Sequence, residues 1–233
     1  MPAKNIRKQF TENGYYHIYN RGVEKRIIFM DDQDYRVFLH LLKFYLSPPD
    51  PLVNHPLTSL TGLDPVRLRP FTTLEKEIDL YAYCLMPNHF HLLLKQITRD
   101  GITKLLIKVL TTYVMYFNKR YKRVGHLFQG TYKGVLIDSD AYLLHLSRYI
   151  HLNPSGLTGS NPVTYLYSSY SYYLGIKNAS WVKPKFILDY FQTNKNDLFL
   201  PKKINSYKNF VEESEQNLQE LLGTLLLEEP EDL

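Results

Sequence analysis

The sequence predicts an α+β fold: a four-stranded antiparallel sheet with helices on one face, a third core helix, and a helical extension toward the C-terminus. Three observations predict it. Short alternating segments rich in aromatic and β-branched residues mark strands, and longer segments with apolar residues three and four apart mark helices. The first six of these segments run strand, helix, strand, strand, helix, strand, which is the split β-α-β order of ferredoxin-like and RRM-like domains. In that topology the first and third strands are central, and the sheet face away from the two helices stays open.

Each element has its own signal. Residues 16–21, Tyr-His-Ile-Tyr-Asn-Arg, alternate and end at Gly22. Asp31 and Asp32 precede apolar residues at Tyr35, Phe38, Leu39, Leu42 and Tyr45, so the first helix starts on cap chemistry and closes before Pro48. The stretch 48–75 holds six prolines and no period, which predicts a long surface insertion. Leu80 to Leu85 and His89 to Gln96 alternate on either side of Met86-Pro87-Asn88, a turn sequence, and read as a hairpin. Ile102 to Tyr121 carries a full apolar stripe and ends in a basic cluster that suits the helix dipole. Tyr132 to Ile137 is the fourth strand, and Asp138-Ser139-Asp140 supplies the cap for a helix over Ala141 to Asn153, stopped by Pro154. A tyrosine-rich stretch from Tyr165 to Tyr173 follows, then a short helix from Pro184 to Phe191 and a last one from Ser206 to Leu222.

A chain of 233 residues with 44% hydrophobic content can bury one sizeable core. We divide it into a core domain over 1–160 and an accessory helical region over 161–233. Its apolar runs fall far short of the roughly 20 residues that cross a bilayer, and its N-terminus is polar and basic, so no membrane partner is expected. Cys84, the one cysteine, has no partner for an internal disulfide, which fits a cytoplasmic location. The net charge of +5 points mildly toward phosphate-bearing partners. Basic residues gather at Lys4 to Lys8, Arg21 to Arg26 and Lys119 to Arg123, whereas the tail from Glu212 is acidic.

Chemistry is concentrated in two places. His89 and His91 lie two apart on a strand and so share a face, while Phe90, Leu92 and Leu94 point to the other. Two imidazoles on one face can share a divalent ion if a third ligand approaches. On the third core helix His145, Tyr149 and Asn153 recur at four-residue steps, on a face distinct from the stripe of Leu143, Leu146 and Ile150. An Asn carboxamide oxygen suits a hard cation, and a tyrosine one turn earlier can hold its phenol near the same ion. Taken alone, a His-x-His pair is more often two histidines on a solvated sheet, and any one of 20 tyrosines more often a core residue.

Four ordered strings join these places. Tyr-His-Ile-Tyr-Asn-Arg-Gly at 16–22, Met-Pro-Asn-His-Phe-His-Leu-Leu-Leu at 86–94, Gly-His-Leu-Phe-Gln-Gly at 125–130 and Arg-Tyr-Ile-His-Leu-Asn-Pro at 148–154 resemble the single-tyrosine HUH transposases. The resemblance runs from about residue 13 to 175 and is strongest to the branch of REP-associated tyrosine transposases, related to the transposases of small insertion sequences. It implies that His89, His91 and Asn153 bind a divalent metal, Mg or Mn, and that Tyr149 is the catalytic nucleophile. The implied activity is metal-dependent nicking and strand transfer of single-stranded or hairpin DNA through a 5′-phosphotyrosine. A homodimer is compatible with it, because in related transposases the tyrosine helix can complete a site on a partner subunit.

Candidate nucleic-acid contacts are Arg21, inside a family-like string; Lys119, Arg120, Lys122 and Arg123, a charge run at a helix end; and His126, Phe128 and Gln129 in a loop the resemblance also marks. Thr131 departs from the family pattern, where many relatives carry arginine, and Ser155-Gly156 replaces the usual Val-Arg or Val-Lys. Two other readings stand beside this one. A domesticated hairpin-binding protein would need no cleavage, and a metal hydrolase would use water, usually with a carboxylate base that the motifs lack.

Overall fold

A computed structural model describes residues 10–50, 72–193 and 206–212. The sheet comprises β1 (Tyr15–Arg21), β2 (Ile78–Met86), β3 (His89–Gln96) and β4 (Lys133–Ile137), all antiparallel in the order β2-β3-β1-β4. The first and third strands are therefore central, as the topology predicts. Tyr19 pairs with His91 and Arg21 with His89, so the motif residues of the two central strands share one face.

Helix α1 (Asp32–Leu46) starts where the Asp31 carboxylate accepts the Asp34 amide, and α2 (Gly101–Arg120) packs beside it. Their apolar stripes, with Phe38, Leu41 and Leu42 from α1 and Leu105, Val109 and Tyr113 from α2, bury Ile18, Phe90, Leu92 and Leu94 of the sheet. Each such side chain contributes roughly 1.5–3 kcal/mol by leaving water. β1 ends at Gly22 for a steric reason: a Cβ there would lie 2.2 Å from the Arg26 carbonyl oxygen.

Helix α3 (Asp140–Leu152), capped by Ser139, lies on the opposite face with α4 (Tyr170–Tyr173), α5 (Lys185–Thr193) and α6 (Tyr207–Glu212). That face was expected to be open, and most of it is covered. Ala82, Cys84, Met86 and Leu93 form a second core there with Leu143, Leu146 and Ile150 of α3 and with Tyr170, Ile187 and Phe210. The reason is in the alternation itself, since Leu93 shares its face with His91. Only the strip carrying His17, Tyr19 and His91 is chemically different, and it too is buried. Most of the expected insertion at 48–75, and the last expected helix beyond Glu212, lie outside the described residues.

The two first-face helices are also joined by a buried carboxylate. Asp34, fully buried, accepts from the Tyr116 hydroxyl at 2.9 Å, the Tyr121 hydroxyl at 2.9 Å, the Met30 amide at 2.8 Å and Arg120 Nη1 at 2.7 Å. Arg120 reaches Asp31 as well, with Nη2 2.6 Å from its Oδ2. Arg120, expected as a phosphate contact, has its fork engaged in tying the end of α2 to the start of α1.

Candidate active site

The site forms where β1 and β3 pair and α3 crosses them. His91 is 1% exposed, and its Nδ1 lies 2.9 Å from Nε2 of the equally buried His17. His89 Nδ1 lies 2.6 Å from Asn88 Oδ1. With Nδ1 engaged on both rings, Nε2 is the nitrogen through which either would ligate an ion. The two rings stand edge to face at 4.9 Å between centroids.

Helix α3 brings Tyr149 to the same place. Its ring is edge-on to His91 at 5.4 Å and to His17 at 6.4 Å. Pro154 ends α3, and Asn153 opens a short 3-10 turn with its Nδ2 donating to the Tyr149 carbonyl at 3.0 Å. That commits the amide nitrogen and makes Oδ1 the atom Asn153 can offer a cation. Among the described residues no three His, Cys, Asp or Glu side chains group as a metal site. A metal here would accordingly draw on two imidazoles and a neutral oxygen, a nitrogen-bearing set that suits a transition ion such as Mn better than calcium. His145, on the same helical face in sequence, is buried against Phe210 at 5.2 Å. Burial first, and then Arg148, lower its pKa.

Arg21 and Gln129 are brought together at the same end of β1: Arg21 Nη2 donates to Gln129 Oε1 at 3.3 Å, and the Gln129 amide to the Arg21 carbonyl at 2.8 Å. Phe128 does not offer a stacking surface. It is 7% exposed, bridges Gly22 and meets Phe90 edge-on at 5.9 Å, so it is a core residue held in a loop of polar neighbours. His126, Lys119 and Lys122 are exposed. Arg123 braces the loop, donating to Asn118 Oδ1 at 2.9 Å with its guanidinium over Phe117.

Sequence reasoning passed over two contributors. His17 was visible as a strand residue, but its bond to His91 spans 74 positions and leaves no local signature. Lys133 of β4 sets its ammonium 5.6 Å from the Tyr19 ring, beside the histidines. Its signal was the β1–β4 pairing of Tyr19 with Lys133.

Residues 70–153 match the family described as "Transposase IS200 like". No curated protein matches the chain. Among solved structures, one described as "Structure of the REP associates tyrosine transposase bound to a REP hairpin" is similar at 11% identity and a TM-score of 0.50, covering 78% of this chain and 98% of that one. The structure of a candidate transposase from Deinococcus radiodurans R1 aligns at 14% identity and a TM-score of 0.34, over 64% of this chain and 95% of that one. Residues 70–153 are thus similar to IS200-like transposases, and the strand order with its helices on the sheet matches the fold of the REP-associated tyrosine transposase structure.

Proposed function

We propose that the chain nicks and rejoins single-stranded, hairpin-containing DNA, with Tyr149 as nucleophile. The observation that carries this reading is the position of the Tyr149 ring, 5.4 Å from His91 and within the same chain. The REP hairpin in the similar solved structure supports hairpin DNA as the substrate class. In this reading residues 1–160 hold the chemistry, and the described part of 161–233, through Tyr170, Phe191, Tyr207 and Phe210, braces the tyrosine helix from the far side. Among the described residues no helix is long and apolar enough to cross a membrane, and a lone buried Cys84 suits a reducing cytoplasm.

His89, His91 and Asn153 would hold a Mg or Mn ion. Once bound, such an ion offsets the charge that builds on a non-bridging phosphate oxygen and favours the phenolate. Tyr149 loses its phenolic proton and its oxygen attacks phosphorus. The bond from phosphorus to the 3′ oxygen breaks, and that oxygen takes up a proton as a free hydroxyl. The product is a 5′-phosphotyrosine that preserves the bond energy, so a second strand's 3′-hydroxyl can reverse the step. Burial of His17, Tyr19 and His91 keeps water from that ester.

Incubation with labelled single-stranded hairpin DNA and manganese should give an adduct that survives denaturation, and Tyr149→Phe should lower its yield by roughly a thousandfold or more. An undiminished adduct in that variant assigns the nucleophile elsewhere. Binding of the hairpin with no adduct under any divalent ion makes the chain a hairpin-binding protein instead.

A further inference from the structure

The site contains a third histidine that the proposed chemistry does not use. His17 is 1% exposed, and its Nε2 lies 2.9 Å from His91 Nδ1. The two rings are nearly parallel, 21° apart with centroids at 5.1 Å. On its other side His17 stacks on Tyr19 at 4.8 Å, and Tyr149 closes over it edge-on at 6.4 Å. The ring is thus fixed from both sides by aromatic packing, with one nitrogen aimed at a candidate ligand.

We propose that His17 is a positioning residue for the metal centre: its Nε2 accepts the Nδ1–H of His91 and so holds His91 in the tautomer whose Nε2 lone pair can bind the ion. The inference rests on His89 and His91 being ligands, and it adds a part that makes one of them competent. A neutral imidazole carries one N–H and one lone pair, so the group that receives the proton on Nδ1 decides which nitrogen can ligate. In most histidine metal sites that acceptor is a carboxylate, a backbone carbonyl or a water. Here the cross-strand histidine, with Nε2 2.9 Å from His91 Nδ1, takes the acceptor's place.

The geometry permits a test by reach alone. In glutamine the side-chain oxygen lies about where Nε2 of histidine lies, whereas in asparagine it falls one bond short; both are neutral, polar and smaller than the ring. Manganese would be titrated into the full chain without DNA, and the free ion followed by its electron paramagnetic resonance signal. His17→Gln should bind within about threefold of the original chain, and His17→Asn roughly 10- to 100-fold more weakly, the range typical of lost outer-shell partners. His17→Leu replaces the asparagine variant if that one does not fold, with the same loss expected. Equal affinity in the long and short variants, whether both retained or both lost, overturns the role of His17. His89→Ala serves as the reference: if it too leaves manganese binding unchanged, the metal centre itself is misassigned and the inference falls with it. If His89→Ala weakens binding while His17→Asn does not, only the role of His17 is lost.

Discussion

The Tyr149 ring meets the His91 ring edge to face, 5.4 Å between centroids, and both belong to one chain. The tyrosine helix reaches this position because Leu143, Leu146 and Ile150 sink into the second core beneath it. Its other flank is held by His151 and Ser147, which bond to Tyr207. A helix gripped on two sides costs several buried contacts to swing away.

That grip predicts catalysis in cis. Mixing Tyr149→Phe with His91→Ala gives every molecule one intact half of the site. If the nucleophile serves its own chain, the mixture should form less than about 1% of the adduct made by the original protein, as expected when residues acting as a unit are broken in both partners. Recovery of a substantial fraction on mixing would show that the helix is exchanged between subunits.

His151 predicts an acid sensitivity. It is fully buried, with Nδ1 2.7 Å from the Tyr207 hydroxyl and Nε2 2.7 Å from Ser169 Oγ. Since Tyr207 donates to Ser147, the His151 Nδ1–H donates to Tyr207, and with the Ser169 hydroxyl donating to Nε2 rather than to the Tyr83 carbonyl the network is satisfied by a neutral ring. Burial lowers the His151 pKa from 6.5 to about 3, and His145 on the same helix shifts the same way. The folded state then refuses a proton that the unfolded chain accepts. Stability should be full above about pH 6.5 and fall as the pH drops from there toward 3, by at most about 1.4 kcal/mol per unit for each such group. Urea unfolding at pH 7.5 and 5.0 measures this, and His151→Gln should show the smaller difference. Equal differences in the two proteins would remove His151 as the cause.

How far the sequence carries depends on how far apart the cooperating residues are. The stripe of Ile102, Leu105, Leu106, Val109, Tyr113 and Phe117 predicts α2 because a helix brings those positions together by itself. The shared face of His89 and His91 follows as directly from strand alternation. The ion pairs of Arg120 leave no local signal because the carboxylates that engage it stand 86 and 89 positions away, and a basic cluster looks the same with or without them. The burial of Phe128 is hidden for the opposite reason. Its exposed neighbours His126, Gln129 and Gly130 describe the loop, while the bridge to Gly22 that turns the ring inward is a tertiary fact. The covered second face needed α3 to α6 to be assembled before it could be seen.

The two arginines, Arg21 and Arg120, should therefore separate cleanly when hairpin binding and stability are measured together. Arg21 lies opposite His89 in the strand register, and its Nη2 donates to the exposed Gln129 at 3.3 Å. Arg21→Ala should weaken hairpin DNA binding and lower the slope of log affinity against log salt by about 1, the mark of one lost phosphate contact, with little change in unfolding. Arg120 is 26% exposed and holds Asp31 and the buried Asp34, and its hydrogen bond to Asp31 is the largest cause of its raised pKa. Arg120→Ala should cost about 2 kcal/mol of stability, as hydrogen bonds to charged groups do, because the Asp34 carboxylate stays behind in the core. Its salt slope should match that of the original protein. A lowered slope for Arg120→Ala at unchanged stability would return that residue to the DNA surface and detach it from the α1–α2 joint.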